Sequence, residues 1–171
     1  MNAGSSWVRR LDETGAPFLI ARIVLALTFI YMGSMKLGEP IEFLKQIRLY
    51  HMLPESPPIF LNAAAIVLPW LEIVAGVALL IGLRFQGAAA AVAILLLIFT
   101  PAILIRGLQI LAEKGGSFFS LVFDCGCGSG PVVIWTKILA NLGLLALAIL
   151  VLLSRSRKLC LSSVLDRRTT Y

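Results

Sequence analysis

Two cysteines separated by one glycine, Cys125 and Cys127, point most directly to chemistry in this chain. They lie in the glycine-rich stretch Asp124–Gly130, between two long apolar segments. A thiolate is the nucleophile of thiol–disulfide exchange, and the glycines allow both access and the backbone angles that bring two neighbouring sulfur atoms together. A disulfide across so small a ring is strained and easily reduced, which favours exchange over stabilisation. A static disulfide, or a pair of inert thiols, is the structural alternative.

A metal site within this chain is not expected. Zinc takes about four protein ligands. Besides the pair, the chain has one further cysteine, Cys160, and one histidine, His51. Cys160 lies in the C-terminal tail, and we predict that it is a free thiol separated from the pair by the membrane. His51 is interpreted as a solvated group at the membrane surface, with a metal or proton-relay role as the alternative.

The elements that position the cysteine pair are membrane spans. Of the 171 residues, 59% are hydrophobic and 14% are charged, which is typical of membrane proteins. Four windows are apolar all round and long enough to cross about 30 Å of hydrocarbon. They are Phe18–Met35, Ile59–Leu83, Phe85–Ile105 and Val132–Leu153. The sequence therefore predicts an all-α integral membrane four-helix bundle over residues 18–153, with tails at 1–17 and 154–171.

The distribution of Lys and Arg predicts the orientation of the bundle. Eight of them lie on the side of the two tails: Arg9, Arg10, Arg84, Arg155, Arg157, Lys158, Arg167 and Arg168. Five lie on the other side: Lys36, Lys45, Arg48, Arg106 and Lys114. The excess places both termini in the cytoplasm and loops 36–58 and 106–131 outside. In a bacterium this means an inner-membrane protein whose cysteine pair faces the periplasm, where disulfides persist.

The net charge of +6 fits this arrangement, because a basic cytoplasmic rim is attracted to anionic lipid headgroups. Nucleic acid is not an expected partner, since the basic residues flank spans and are not interleaved with aromatic residues. In the first outer loop, apolar and polar residues are spaced as on one side of a helix. We predict a short amphipathic helix over residues 40–52, which lies in the outer interface and is bounded by Pro40 and Pro54.

Glu72 lies near the middle of the second predicted span, where an ionised carboxylate costs at least ~2.5 kcal/mol. It must therefore face the bundle interior, pair with another group, or be protonated. Pro69 precedes it and frees a backbone carbonyl, which predicts a kink. Lys137 and Asn141 share a face of the last span and are candidate partners, although Lys137 can also extend outward to the interface. Glu72 is either a structural tie between helices or a proton-handling or ligand-binding group.

Two further sets of residues in the spans carry structural expectations. Arg22 lies near the cytoplasmic end of the first span, and we expect its side chain to reach the lipid headgroups. Small residues predict close approach of helices. These are Gly33, Gly76, Gly82 and the run Gly87–Ala91.

The order of these features resembles the DoxX-like superfamily of four-span bacterial membrane proteins and, within it, the MauE-type branch. The matching pieces are Arg22, Gly33 with Lys36, Tyr50 through Leu53-Pro54, Leu68-Pro69-x-x-Glu72-x-x-x-Gly76, Leu79-Leu80-x-Gly82, Arg106-Gly107, Cys125-x-Cys127-Gly128, Trp135 and Asn141. The resemblance covers about residues 18–153. Two positions depart from the family pattern: Gly128-Ser129-Gly130 replaces Cys-Phe-Gly, and Ala140 replaces a basic residue, with Lys137 one turn earlier.

The resemblance implies a role in the maturation of periplasmic redox enzymes, notably methylamine dehydrogenase, with thioredoxin-like partners. It implies that Cys125 and Cys127 are the redox pair and that Glu72, Arg22 and Lys36 are polar positions of the bundle. We therefore expect a membrane accessory protein that exchanges disulfides with a thioredoxin-like protein or a periplasmic redox client. A non-catalytic subunit of a larger membrane redox complex and a quinone-coupled thiol oxidoreductase are the alternatives. No residue pattern specifies a cofactor, and a quinone enters only through the last alternative.

Overall fold

The computed structural model describes residues 16–50, 53–54, 56–115, 117–124 and 130–153. In chain order the elements are α1 (Ala16–Gly38), α2 (Pro40–Leu49), α3 (Ile59–Ile81), α4 (Phe85–Lys114), β1 (Val122–Asp124), β2 (Pro131–Val133) and α5 (Ile134–Leu153). Helices α1, α3, α4 and α5 are each long and apolar enough to cross a membrane. The prediction of an all-α integral membrane bundle is confirmed, and the chain is a multi-pass membrane protein.

Glycines allow α1 and α3 to pack closely, while α4 packs chiefly on α5. A Cβ atom at Gly33 would lie 2.7 Å from Ile73 Cγ1 and 2.8 Å from the carbonyl oxygen of Pro69. At Gly76 it would lie 2.9 Å from a backbone oxygen of α1. The predicted close approach is confirmed at both glycines, whereas at Gly87 it is wrong, because a Cβ atom there would meet nothing within 4 Å.

The helices end at different residues from the predicted spans. Helix α1 continues past Met35 to Gly38, and α4 continues past Ile105 to Lys114, which makes it 30 residues long in total. At 1.5 Å per residue α4 is about 45 Å long, which exceeds the hydrocarbon thickness. Hydropathy detects only the part of a helix that crosses hydrocarbon, so it misses these extensions.

The connection between α3 and α4 is a tight turn. Helix α3 runs without interruption through Pro69 and stops at Ile81, two residues before the predicted end at Leu83. Gly82 follows with φ of 77°, a left-handed conformation that glycine adopts at little cost, and its N–H donates to the carbonyl of Ala78 at 3.0 Å. Gly82 therefore ends α3, and its predicted role in helix packing stays a prediction.

The predicted amphipathic helix between the first two spans is present. It begins at Pro40, as expected for a proline in the first helical turn, and ends at Leu49 instead of residue 52. Phe43 is its buried residue, while Lys45 and Glu42 form an exposed ion pair at 2.6 Å. His51 lies outside the described residues, so its role stays a prediction.

A two-stranded antiparallel sheet between α4 and α5 was not predicted. Val122 lies opposite Val133, and Asp124 lies opposite Pro131. Val132, which was expected to open the last span, therefore belongs to β2, and α5 begins at Ile134. Strands of three residues are too short to display an alternating pattern, which is why the sequence reads here as loop followed by span.

Candidate functional site

A cavity of about 500 Å³ lies in the half of the bundle that faces α2. Its walls are apolar and come from several helices, with Phe29, Met32, Phe43, Val67, Leu96 and Phe99 among the lining residues. Tyr50 also contributes to the lining, and so do four charged or amide side chains: Lys36, Glu72, Lys137 and Asn141. All four were singled out from the sequence, and the fold brings them to one place from α1, α3 and α5.

Lys36 and Glu72 form a buried ion pair between α1 and α3. The ammonium of Lys36 donates to Oε1 of Glu72, and the two side chains are only 6% and 3% exposed. The same ammonium lies 5.1 Å from the ring centroids of both Phe43 and Phe99. Such cation–π contacts are strongest where water is excluded. The two aromatic rings therefore help to shield the ion pair from solvent.

The partner of Glu72 differs from the one expected. Sequence reasoning looked for it on the last span and assigned Lys36 to an outer loop by charge count. The missed signal is the spacing between Gly33 and Lys36, which places them on one side of α1. A Cβ atom at Gly33 would touch Cβ of Glu72 at 3.2 Å, so the residue one turn later faces the same part of α3.

The second carboxylate oxygen of Glu72, Oε2, is buried and has no hydrogen-bond partner among the described residues. An unpaired buried oxygen of this kind costs about 1–3 kcal/mol, and more for a charged group. The residue that carries this oxygen also lines the cavity.

Lys137 and Asn141 share a face of α5, as predicted, and that face lines the cavity. Lys137 is 8% exposed, so of the two predicted possibilities it faces the interior and does not extend outward. It interacts electrostatically with Glu72 and Lys36, but no hydrogen bond or ion pair joins it to another residue in the described ranges. Asn141 donates through Nδ2 to Oγ1 of Thr100 at 3.3 Å.

Arg22 lies at the other end of the bundle and is not part of the cavity. It is 5% exposed, its Nε donates to the carbonyl of Leu79 at 3.2 Å, and its guanidinium lies 5.4 Å from the ring centroid of Phe85. The expectation that it reaches the lipid headgroups is wrong. The ends of α3 and α4 offer it a carbonyl and an aromatic face, so it ties these helices to α1.

Cys125 and Cys127 lie outside the described residues. The strands on either side are described, and they end opposite each other at Asp124 and Pro131. Phe123 of β1 is buried against Ile134 and α4, and the N–H of Ile134 donates to the carbonyl of Leu121 at 3.0 Å. The hairpin is therefore anchored at the start of α5.

Helix α5 connects this hairpin to the cavity. Lys137 and Asn141 follow Ile134 by three and seven residues, which places all three on one side of the helix. A Cβ atom at Gly107 of α4 would lie 1.7 Å from Cδ1 of Ile134, so the two helices meet closely at the base of the hairpin. Within the described ranges, no group of three or more His, Cys, Asp or Glu residues is placed to hold a metal ion.

Residues 14–154 match the family model described as methylamine utilisation protein MauE. The matched range contains all four spans, α2, both strands and the four polar residues of the cavity. No curated protein and no solved structure matches the chain.

Proposed function

The chain belongs to the methylamine utilisation protein MauE family, and from this premise we propose that it is a membrane accessory protein in the maturation of an extracytoplasmic redox protein. Its working group is the dithiol of Cys125 and Cys127. The observation that carries this proposal is the antiparallel pairing of β1 and β2. Asp124 and Pro131 lie opposite each other at the two ends of the segment that contains the cysteines. An anchored hairpin is a suitable carrier for a pair that must meet a partner protein.

The proposal includes an orientation with both termini in the cytoplasm and the hairpin in the periplasm. Lys36 is paired inside the bundle, so it no longer counts as a charge of the outer loops. Without Lys36 the outer side has 4 basic residues instead of 5, whereas the side of the tails keeps its 8, so the excess of Lys and Arg on that side grows. The inner membrane of a bacterium is the location that this orientation implies.

The chemistry proposed for the pair is thiol–disulfide exchange with a thioredoxin-like protein or with the client itself. One thiolate of the reduced pair attacks a disulfide sulfur of the partner, a mixed disulfide forms, and one partner sulfur leaves as a thiolate that takes up a proton. The second cysteine loses its proton and attacks the mixed disulfide. The result is a disulfide between Cys125 and Cys127 and a reduced partner, and the reverse sequence oxidises the partner.

Single substitutions of the pair test this mechanism. We expect Cys125→Ser and Cys127→Ser each to abolish client maturation, and the variant that lacks the resolving thiol to accumulate a mixed disulfide. Non-reducing gels of membranes from cells that express the client would show this species. Cys160→Ser is the matched control, and it should behave like the unsubstituted protein in both assays.

A variant with both cysteines replaced by serine separates exchange from a structural role. If this variant supports full maturation of the client, the dithiol does not act by exchange. The protein would then serve as a non-catalytic subunit of a larger membrane complex. A stoichiometric complex that survives detergent extraction, with no trapped disulfide species in either single variant, is the result that this alternative requires.

A further inference from the structure

We propose that the cavity lined by Lys36, Glu72, Lys137 and Asn141 binds a neutral, membrane-soluble amphiphile whose polar head carries both a hydroxyl donor and an oxygen acceptor. The four residues that define the proposed site belong to the transmembrane helices, and ligand binding does not depend on thiol–disulfide exchange. The argument rests on the shape of the cavity and on the hydrogen-bonding groups that its walls leave unused.

The walls of the cavity select an apolar body. A volume of about 500 Å³ is within the usual range for small-molecule sites, which are mostly apolar with a few placed polar groups. Phe29, Val67 and Leu96 contribute to its surface from three different transmembrane helices. A ligand that reaches this site from the bilayer therefore keeps its tail in apolar surroundings.

The carboxylate selects a hydrogen-bond donor in the ligand. Oε1 of Glu72 accepts from Lys36, whereas the buried Oε2 accepts from no described residue. A buried oxygen of this kind is normally satisfied by protein, by water or by a ligand. A hydroxyl group in the ligand head would supply the missing hydrogen after a rotation of the Glu72 carboxylate brings the covered Oε2 to the cavity surface.

The polar side chains of α5 select an acceptor. Lys137 is buried and makes no hydrogen bond or ion pair to another residue in the described part of the chain. Asn141 uses one amide hydrogen on Thr100 and retains a second, because a primary amide carries two. Both groups are donors, so they require an oxygen acceptor in the same ligand head.

The two requirements together define the head group. A fatty-acid carboxylate satisfies Lys137 but carries no hydrogen that it could donate to Glu72. A pure hydrocarbon leaves both walls unsatisfied. A neutral head with hydroxyl and carbonyl, ether or ring oxygens satisfies both, and membranes supply such heads in quinols and in monoacylglycerols.

Binding to the full-length protein in nanodiscs tests the proposal, with isothermal titration calorimetry as the readout. The probes are decylubiquinol, its oxidised form decylubiquinone, monodecanoylglycerol and decanoate, which share a tail of similar length. We expect decylubiquinol, monodecanoylglycerol or both to bind at least about tenfold more tightly than decanoate, since one net hydrogen bond corresponds to about that factor. Whichever of the two binds identifies the source of the ligand. Binding of decanoate as tight as theirs, or no binding of any probe, would overturn the proposal.

Two substitutions then locate the head group if decylubiquinol binds. The unsubstituted protein should prefer decylubiquinol to decylubiquinone, because the oxidised ring has no hydroxyl hydrogen to donate to Glu72. In Glu72→Gln an amide N–H can replace the free oxygen, so this preference should disappear or reverse. Lys137→Met should weaken both forms about tenfold. Lys45→Met is the matched control, because Lys45 is exposed and does not line the cavity. An unchanged preference in Glu72→Gln, or an equal loss in the control, would overturn the assignment.

A third substitution keeps the proposal testable if the polar variants do not fold or if only the glyceride binds. Ala64 lines the cavity, and Ala64→Phe should fill part of it and remove binding of every probe while the ion pair of α1 and α3 remains. Thermal unfolding of the ligand-free variant, monitored by circular dichroism, shows whether the fold is retained. A folded Ala64→Phe protein with unchanged affinity would place the ligand elsewhere and contradict the proposal.

Discussion

Removing single charges from the cluster at the cavity should destabilise the bundle in a defined order. Glu72 is the one carboxylate among the cavity's polar residues, and it interacts with two cations, Lys36 and Lys137. Glu72→Leu therefore leaves two buried cations without their anion. Lys36→Met leaves Glu72 with Lys137, and Lys137→Met leaves the ion pair intact. The number of buried charges left without a partner in each variant predicts that Glu72→Leu lowers the free energy of unfolding most and Lys137→Met least.

The expected magnitudes follow from the burial of the pair. Lys36 and Glu72 are only 6% and 3% exposed, so solvent does not screen them as it does a surface pair. Removing one partner of such a pair costs about 3–5 kcal/mol. We expect about 5 kcal/mol for Glu72→Leu, about 3 kcal/mol for Lys36→Met and a change within about 1 kcal/mol for Lys137→Met. Glu72→Gln keeps the shape and an acceptor for Lys36, so its cost should lie near 1–3 kcal/mol.

Unfolding by SDS in mixed micelles, followed by tryptophan fluorescence, measures these free energies. The triple variant Lys36→Met/Glu72→Leu/Lys137→Met is the control, because replacement of the whole charged cluster by apolar residues should recover most of the stability. If Lys137→Met costs as much as Glu72→Leu, or if Glu72→Leu is as stable as the unsubstituted protein, Glu72 is not the centre of the cluster and the reasoning is refuted.

Gly33→Ala should lower the free energy of unfolding by about 1–3 kcal/mol, because its methyl group would lie 2.7 Å from an α3 side chain. Gly87→Ala meets open space and should leave stability unchanged or slightly higher in the same titration. Arg22→Leu should cost about 1.5–3 kcal/mol in that assay, since it removes a hydrogen bond from a charged group to an α3 carbonyl; no loss would contradict a structural tie. An impermeant maleimide added to intact, reduced cells should label Cys125 but not Cys160, and the reverse pattern would invert the proposed orientation.

The spans and their packing were largely predictable because they depend on local properties. Hydropathy identified four crossing helices, and Gly33 and Gly76 indicated where backbones approach. The conclusion that Glu72 must face the bundle interior, pair or be protonated followed from the energetic cost of a bare charge in hydrocarbon. These conclusions depend only on which residues each segment contains. They do not depend on how the segments are arranged in the fold.

The arrangement of the polar residues was not predictable in the same way. Lys36, Arg22 and Lys137 all lie near the ends of predicted spans, where a long basic side chain can turn either to the interface or to the interior. The choice depends on what the neighbouring helices offer. Lys36 pairs with a carboxylate of α3. Arg22 contacts a carbonyl oxygen of α3 and an aromatic ring of α4. Lys137 lines a cavity formed by several helices. Each of these partners lies far away in sequence.

The pairing of α1 with α3 has a consequence for how the chain enters the bilayer. A carboxylate at the centre of α3 opposes partition of that segment from the translocon into lipid, by about 2.5 kcal/mol or more. The preceding span carries the cation that neutralises it and the glycine that lets it come close. We expect the two segments to leave the translocon as one helical hairpin, with α1 retained beside the channel until α3 has been synthesised.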